Sequence, residues 1–426
     1  MSFDIALSGI QAINEQLDTT SQNIANAGTY GYKAGRANFS ALVAGSQPVG
    51  TQVSSISQDI AKSGGILNTG RALDVSINGR GFFITKTPSG VTQYTRVGIF
   101  DTNKNGVLVD AEGRAVQGFP ITPPATTLGA LGNITIATGQ IPAVPSSKLA
   151  FTANMSADWT TPAVTWGGVS AVGSAITPTN PPDPQSFNSS QSTTIYDTLG
   201  TSHTLSQYFI AGAAGSGSVT VQYVLDGTDL GAPQTLTFAT TPVAPATTGS
   251  GQLTAVGGTT TSPFTSTLTI PGATSTGATF NPVTIDYTGT TLFAGKSTVS
   301  TNLADGYPSG VYSNTEIAAD GSIIAKYSNN QSQTVGKLAL ATFPDEQALT
   351  VVDNTSWEAS VGSGTALAGV PGDGQAGNLN TTSLEQSNVD ITSELVGMMT
   401  SQRNYQANSK VIQTESTMLQ SLMQAI

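Results

Sequence analysis

The sequence predicts a multidomain α+β protein: N- and C-terminal helices form a coiled-coil module, and mainly-β structure is nested between them. Three observations carry this. Apolar residues repeat every seven positions near both chain ends. Helical period nearly vanishes between about residues 70 and 378, where short alternating runs sit between turn signals. Charged residues make up only 10% of the 426 positions, against roughly 25% in ordinary globular chains, and Thr, Ser, Asn, Gln and Gly fill the gap.

Residues 3 to 27 come first. Phe3, Ile10, Leu17 and Ile24 form one row, and Ala6, Ile13, Thr20 and Ala27 a second, offset by three. Two such rows make one narrow seam on a helix, which at 1.5 Å per residue is about 37 Å long. It runs into "NIANAGTYGYKAGR", residues 23 to 36. There Asn26, Gly28 and Gly31 release the chain, because Gly adopts positive φ freely and Asn tolerates it.

The C-terminus mirrors this pattern. Ile391, Met398, Tyr405, Ile412, Leu419 and Ile426 are spaced by seven. A second row, Leu395, Gln402, Ser409, Ser416 and Met423, is polar in its middle, and Val411, Met418 and Leu422 widen the seam near the end. Asp390 is placed to cap the helix, with Glu394 in its first turn. Gln402, Asn404, Gln406, Asn408 and Gln413 line the seam with few charges. Such a surface lets identical subunits pack without stacking like charges. The two seamed helices are read as pairing with each other, and the seams as also packing against neighbouring copies; an internal coiled coil that only closes the domain is the other reading.

Between the ends the plan is an irregular link and then a β body. "ALDVSINGRGFFITK" (72–86) reads as strand, Asn-Gly hairpin, strand. "TSHTLSQYFIAG" (201–212), "SVTVQYVLDG" (218–227) and "GSIIAKYSNN" (321–330) read as further strands. Residues 143–186 and 241–280, rich in Pro, Thr, Ser and Gly, read as long loops, the second with room for short exposed strands. Residues 364–380 form a Gly-rich bridge back to the helical end.

Composition excludes much chemistry. There is no Cys, hence no disulfide, thiolate site or Cys nucleophile. A formal charge of −11 opposes binding to phosphate backbones and anionic membranes. The N-terminus shows no cleavable signal pattern, and no apolar run reaches membrane-spanning length. "DTNKNGVLVDAE" has calcium-loop spacing in Asp101, Asn103, Asn105, Gly106 and Glu112. Its flanks are strand-like where such a loop needs helices, so it reads as an Asn-Gly turn, a strand and a second turn at Glu112-Gly113. "AGKST" (294–298) resembles the end of a phosphate loop, but Gly289 stands one residue too far away. His203, the single histidine, has Asp197 and Ser202 nearby without a nucleophile-elbow sequence. Asp345 with Glu346, and Asp110 with Glu112, are carboxylate pairs that nothing singles out. No catalytic residue, metal or cofactor is expected.

"LSGIQAINEQLDTTSQNIANAGTYGYKAGRANF" resembles the N-terminal signature of the bacterial flagellar rod, hook and hook-associated proteins. "LEQSNVDITSELVGMMTSQRNYQANSKVIQTESTMLQSLMQAI" resembles their C-terminal signature. "VSINGRGFFIT", "TIYDTLGTSHTLSQYF", "TIDYTGTTLFAG", "LADGYPSG" and "IAADGSIIAKYSNNQ" are similar to body motifs of the hook members. Thr29, Tyr32 and Lys33 match the family motif at the helix exit.

The resemblance implies an inner coiled-coil domain from residues 1–30 and 380–426, lining a tube, and a linker at 31–70. A middle β domain follows from 71–148 and 300–379, with an inserted outer β domain at 149–299. It implies a structural polymer subunit, a flexible tube carrying motor torque to the filament. The implied partners are further copies, rod and hook–filament junction proteins at the ends, and a hook cap and type III export apparatus during assembly. Nucleic acid and membrane insertion are not implied. The implied location is the extracellular hook, reached without a cleaved signal. The rigid distal rod is the nearest other reading, and a secreted β-rich calcium or glycan binder is one from a different class. The end helices are expected to be largely disordered before assembly, since half-polar seams bury too little alone.

Overall fold

The computed structural model describes residues 2–44, 47–122, 127–167, 182–240, 250–270, 277–353 and 355–424. Ile426 and most of the Pro-rich tract at 177–184 lie outside them. The chain divides into two compact units: Met1–Thr138 with Tyr312–Tyr327 and Gln331–Ile426, and Gly139–Val311 with Ser328–Asn330.

In the first unit, helix α1 (Ser2–Ala25) is followed by a two-stranded antiparallel ribbon, β1 (Gly35–Ala44) and β2 (Gln47–Gln58). The segment expected as an irregular link is thus regular. Its apolar side chains do not alternate cleanly, and Phe39, Val43 and Ile56 stay exposed. The ribbon's end is tied down where Trp357 Nε1 donates to Gln58 Oε1 at 2.7 Å. The ring of Trp357 is fully buried and meets Phe82 edge-on, centroids 5.5 Å apart, among Ile60, Ile84, Tyr94 and Phe343. Burying one Phe-sized side chain is worth about 1.5–3 kcal/mol, so these aromatics anchor the body.

Strand Phe82–Lys86 pairs with Thr92–Thr95, Ala115–Pro120 and Leu340–Thr342. The hairpin expected at 72–86 does not form. Strand Val75–Asn78 pairs instead with Asn378–Thr381 near the far end of the chain. Gly79 and Gly81, at φ 111° and 119°, turn the intervening link, and Arg80 O accepts from Gly377 N at 2.7 Å. An Asn-Gly pair closes a hairpin only if both flanking strands want each other; here each finds a partner more than 250 positions on. A short strand β3 (Ile66–Asn68) pairs with Ser383–Glu385 in the same way. The chain closes with helix α2 (Ile391–Gln424). Asp390 Oδ1 accepts from the amides of Thr392 (2.9 Å) and Ser393 (3.3 Å), the cap its position suggested.

The second unit is two sheets around one core. Strand Lys148–Ser156, in a tract read from sequence as loop, is central to one: it pairs parallel with Val283–Asp286 and Thr291–Phe293 and antiparallel with Thr298–Ala304. Leu149, Phe151, Ala153 and Met155 alternate into the core. The other sheet runs through Ser189–Tyr196, Ser202–Ala211, Ser218–Leu225, Gln234–Phe238 and Leu253–Val256. Phe151 stacks on Phe209 at 5.2 Å. Strands Leu253–Val256 and, in the first sheet, Thr265–Leu268 lie where the sequence leaves room for short exposed strands, yet Leu253, Val256 and Leu268 are buried. Gly and Thr around them hide a core contribution that only the opposite sheet reveals.

Candidate assembly surface and helix-exit junction

The two helices pack against each other and run antiparallel. Near one end Asn23 Nδ2 donates to Glu394 Oε1 at 3.0 Å. Further along, a Cβ added to Gly9 would lie 3.0 Å from Asn408 Nδ2. Ala6, Ala12, Thr19, Thr20 and Asn23 are the buried positions of α1, and Ser401 that of α2. The heptad residues flank this contact. Ile10, Ile13, Leu17 and Ile24 are half-buried, as are Met398 and Ile412. Phe3, Ile391, Leu395, Tyr405, Leu419 and Met423 are exposed, Met423 to 71%. On α2 the row turned toward α1 is therefore Glu394, Ser401 and Asn408, three residues after each apolar heptad position. The row containing Leu395 and Met423 points away.

The contrast has a simple cause. Small and polar residues let the backbones approach within one chain, which leaves the larger apolar side chains on the outside. Because α2 has 34 residues and α1 only 24, the end of α2 carrying Met418, Leu419, Leu422 and Met423 is also exposed. Large exposed apolar surfaces are uncommon on monomeric proteins.

The exit from α1 is built by side chains as much as by glycine. Gly31 has φ 70°, and a Cβ there would stand 2.9 Å from Val97 Cγ2. Gly28, by contrast, is exposed, with open space around its Cα and no positive φ. Asn26 likewise keeps a negative φ, and its Nδ2 bonds back to Gln22 O at 2.9 Å. Of the three residues expected to turn the chain by positive φ, Gly31 alone does so. Thr29 Oγ1 donates to Asn26 Oδ1 at 3.2 Å.

Asn23 is a site residue that sequence reasoning did not single out. It is almost fully buried and makes four bonds. Its Nδ2 donates to Gly35 O (2.8 Å) and Glu394 Oε1; its Oδ1 accepts from Gly35 N (2.8 Å) and Tyr32 OH (3.1 Å). One side chain thus ties α1, the start of β1 and α2 together. Burial, aided by the Glu394 charge, raises the Tyr32 hydroxyl's pKa and keeps it neutral as a donor.

Beneath the exit lies a buried ionic trio. Lys33 Nζ meets Glu385 Oε1 at 2.6 Å and Lys62 O at 2.8 Å. Arg96 Nη1 reaches Glu385 Oε2 at 3.5 Å, and its guanidinium stands 5.2 Å over the Phe82 ring. All three side chains are at most 2% exposed. Desolvation pushes the Lys33 ammonium below its ordinary pKa, with Glu385 opposing it. Asn388 completes the junction, accepting from Ala34 N at 2.7 Å and donating to Asp59 O and Lys62 O. Lys33 was legible as part of a motif; Arg96 and Glu385 were not, because a scattered charge in sequence does not announce burial.

The calcium-like stretch folds as a hairpin with its oxygens turned to backbone. Asn103 Oδ1 accepts from Asn105 N (2.9 Å) and Val107 N (3.0 Å), and Gly106 has φ 76°. Asp101 Oδ1 takes Thr102 N, while Glu112 pairs with Arg114 at 3.1 Å. Among the described residues no group of three or more His, Asp or Glu converges as for a metal. Residues 294–298 lead into a strand, where a phosphate loop would lead into a helix. His203 sits between Asp226 Oδ2 (2.5 Å from Nδ1) and Asp197 Oδ2 (3.3 Å from Nε2). Both ring nitrogens thus face carboxylates. Among the described residues no helix is long and apolar enough to cross a membrane.

Comparison with known proteins agrees with this architecture. Family models match at residues 3–33 (flagella basal body rod protein), 76–143 (flagellar hook protein FlgE/F/G D1 domain), 166–307 (flagellar basal body protein FlaE D2 domain) and 381–425 (flagellar basal body rod FlgEFG protein C-terminal). The flagellar hook protein FlgE of Salmonella typhimurium is 34% identical, with 99% of each chain covered. That of Escherichia coli is 33% identical over 99% of each, and that of Brucella suis 31% over 98% of this chain and 96% of its own. The crystal structure of Helicobacter pylori flagellar hook protein FlgE2 superposes with a TM-score of 0.52 at 14% identity, covering 75% of this chain and all of that one, which shows the shared fold. With terminal helices, a β body between them and end-to-end identity to these relatives, the chain belongs to the flagellar hook protein family and is a structural subunit of the hook.

Proposed function

We propose that this subunit polymerises through its two terminal helices into a flexible tube that carries motor torque to the filament. The observation behind this reading is the apolar surface that α1 and α2 leave exposed after packing on each other, from Phe3 and Met423 at one end to Ile391 and Leu395 at the other. Neighbouring copies cover that surface as an inner coiled-coil layer, residues 1–30 with 380–426. The segment 31–70 links it outward, 71–148 with 300–379 forms a middle domain, and 149–299 an outer one. The inner layer resists twist, while low-charge outer surfaces exchange between near-equal contacts as the tube bends.

The ends of the polymer meet rod and hook–filament junction proteins. The chain reaches its extracellular place by the type III apparatus and assembles beneath a cap, without cleavage of a signal. The mechanism is packing, with no chemical step.

Electron microscopy under polymerising conditions tests this. The full chain forms curved tubes, and a chain trimmed to residues 31–379 forms none. Tubes from the trimmed chain would remove the helices from the mechanism, and straight tubes from the full chain would indicate a rod-like element.

A further inference from the structure

Strand Ser383–Glu385 pairs with β3 over three residues only, Ile66 opposite Glu385. Ile66, Leu67 and Asn68 are all exposed. So short a pairing, with no buried apolar face on β3, specifies its register weakly, and a one-residue slip would turn every side chain over. Yet this is where the C-terminal segment enters the junction: Glu385 O accepts from Gly31 N at 2.8 Å, and Asn388 N donates to Tyr32 O at 3.4 Å. Leu384 is buried and backbone bonds flank the pairing, from Thr69 N to Thr382 O (2.8 Å) and from Gln386 N to Gly65 O (2.7 Å), but no side chain of β3 helps to hold the register.

The ionic trio meets that need. Glu385 Oε1 takes Lys33 Nζ and Gly64 N, and Oε2 takes Arg96 Nη1. A slip would leave two buried cations without their carboxylate, a far larger penalty than any exposed contact could offset. The chain carries 15 basic and 26 acidic residues in 426, so three fully buried at one crossing is a concentrated use of scarce charge. Buried ion groups add little net stability compared with apolar residues of like size, but they can fix one geometry among several.

We propose that Lys33, Arg96 and Glu385 are positioning residues: they fix the register in which both chain ends leave the body and supply geometry there, not stability. This rests on the tube-forming role above, since identical exit geometry in every subunit is what lets the helices form one regular layer.

The test compares the full chain with Lys33→Met/Arg96→Met/Glu385→Leu and with Glu385→Leu alone. The triple variant is expected to unfold within about 3 °C of the unmodified chain, while the amides of Gly31 and Asn388 exchange hydrogen at least about tenfold faster. Its tubes are irregular in curvature. The single variant, with two stranded cations, unfolds at clearly lower temperature. Equal loss of stability in single and triple variants overturns the proposal, as do unchanged exchange and regular tubes in the triple. Hydrogen exchange reads the isolated chain, so it judges the junction independently. Absence of tubes from the unmodified chain would instead defeat the tube-forming role.

Discussion

Asn23 and Glu394, 371 positions apart, share a 3.0 Å hydrogen bond near the end of α1. This contact joins the first helix to the last, and the same amide also holds Gly35 and Tyr32. Changing Asn23 to Ala leaves Gly35 N–H and C=O, and the Tyr32 hydroxyl, without this partner. Each stranded buried group costs about 1–3 kcal/mol. Asn23→Ala tubes are expected to melt at lower temperature than unmodified ones. Asn23→Asp, facing Glu394 with a second carboxylate, is worse, and Glu394→Gln restores part of the loss; thermal disassembly followed by light scattering gives the comparison.

The two glycines of the exit should part company. Gly31→Ala forces a left-handed backbone on a residue with a Cβ and pushes that atom toward Val97. The backbone term alone is about 1–2 kcal/mol. Gly28→Ala meets open space and should stay within about 0.5 kcal/mol of the unmodified chain. Denaturant unfolding of the two variants side by side measures this.

The hairpin at 103–110 depends on Asn103 and not on a cation. Asn103→Ala removes acceptors from two backbone amides and should cost about 1–2 kcal/mol. Millimolar calcium should leave the melting temperature of the unmodified chain where it was. A calcium-dependent rise abolished by Glu112→Gln would reverse this conclusion.

His203 gives the second unit a pH dependence of known sign. Burial alone would lower its pKa, but hydrogen bonds to Asp226 and Asp197 outweigh it and raise the value above 6.5. A group whose folded pKa is raised contributes fully below its unfolded value and loses that contribution as pH rises through the folded one. The unit is therefore expected to melt lower at pH 9 than at pH 6, and His203→Gln to flatten the difference. Circular dichroism melts at the two pH values decide it.

Asp320 works in the opposite direction. The Lys337 ammonium, against desolvation and with help from Ser322, holds its carboxyl down at about 2. Its contribution is present above the unfolded carboxylate range and fades as pH falls toward that value. Because the side chain is more than half exposed, solvent screens the pair, and the effect is small. Comparing Asp320→Asn with the unmodified chain between pH 5 and pH 2 should show the gap closing.

Gly139–Val311 should fold when expressed alone. Its core, from Leu149 and Phe151 to Phe209 and Tyr287, is drawn entirely from within that range, and its first and last long strands pair with each other, Leu149 opposite Ala304. A cooperative melt of the isolated segment is the expected result.

The sequence by itself determined the two terminal helices, the cap at Asp390, the turns of the 101–113 stretch, the strands at 202–211, 218–225 and 322–327, and the family. Those features are local, written in period, capping chemistry and turn residues. Tertiary structure decided what depends on distant partners. It sent Val75–Asn78 to the far end of the chain instead of into a hairpin, and it buried Lys148–Ser156 in a sheet despite its loop-like neighbourhood. It also put Glu394, Ser401 and Asn408, not Leu395 and Met423, between the helices, and gathered Lys33, Arg96 and Glu385 from three separate segments. A period of seven tells which residues share a stripe, but which side of that stripe meets a partner is settled by the steric fit of the two surfaces, and one-dimensional spacing carries no record of it.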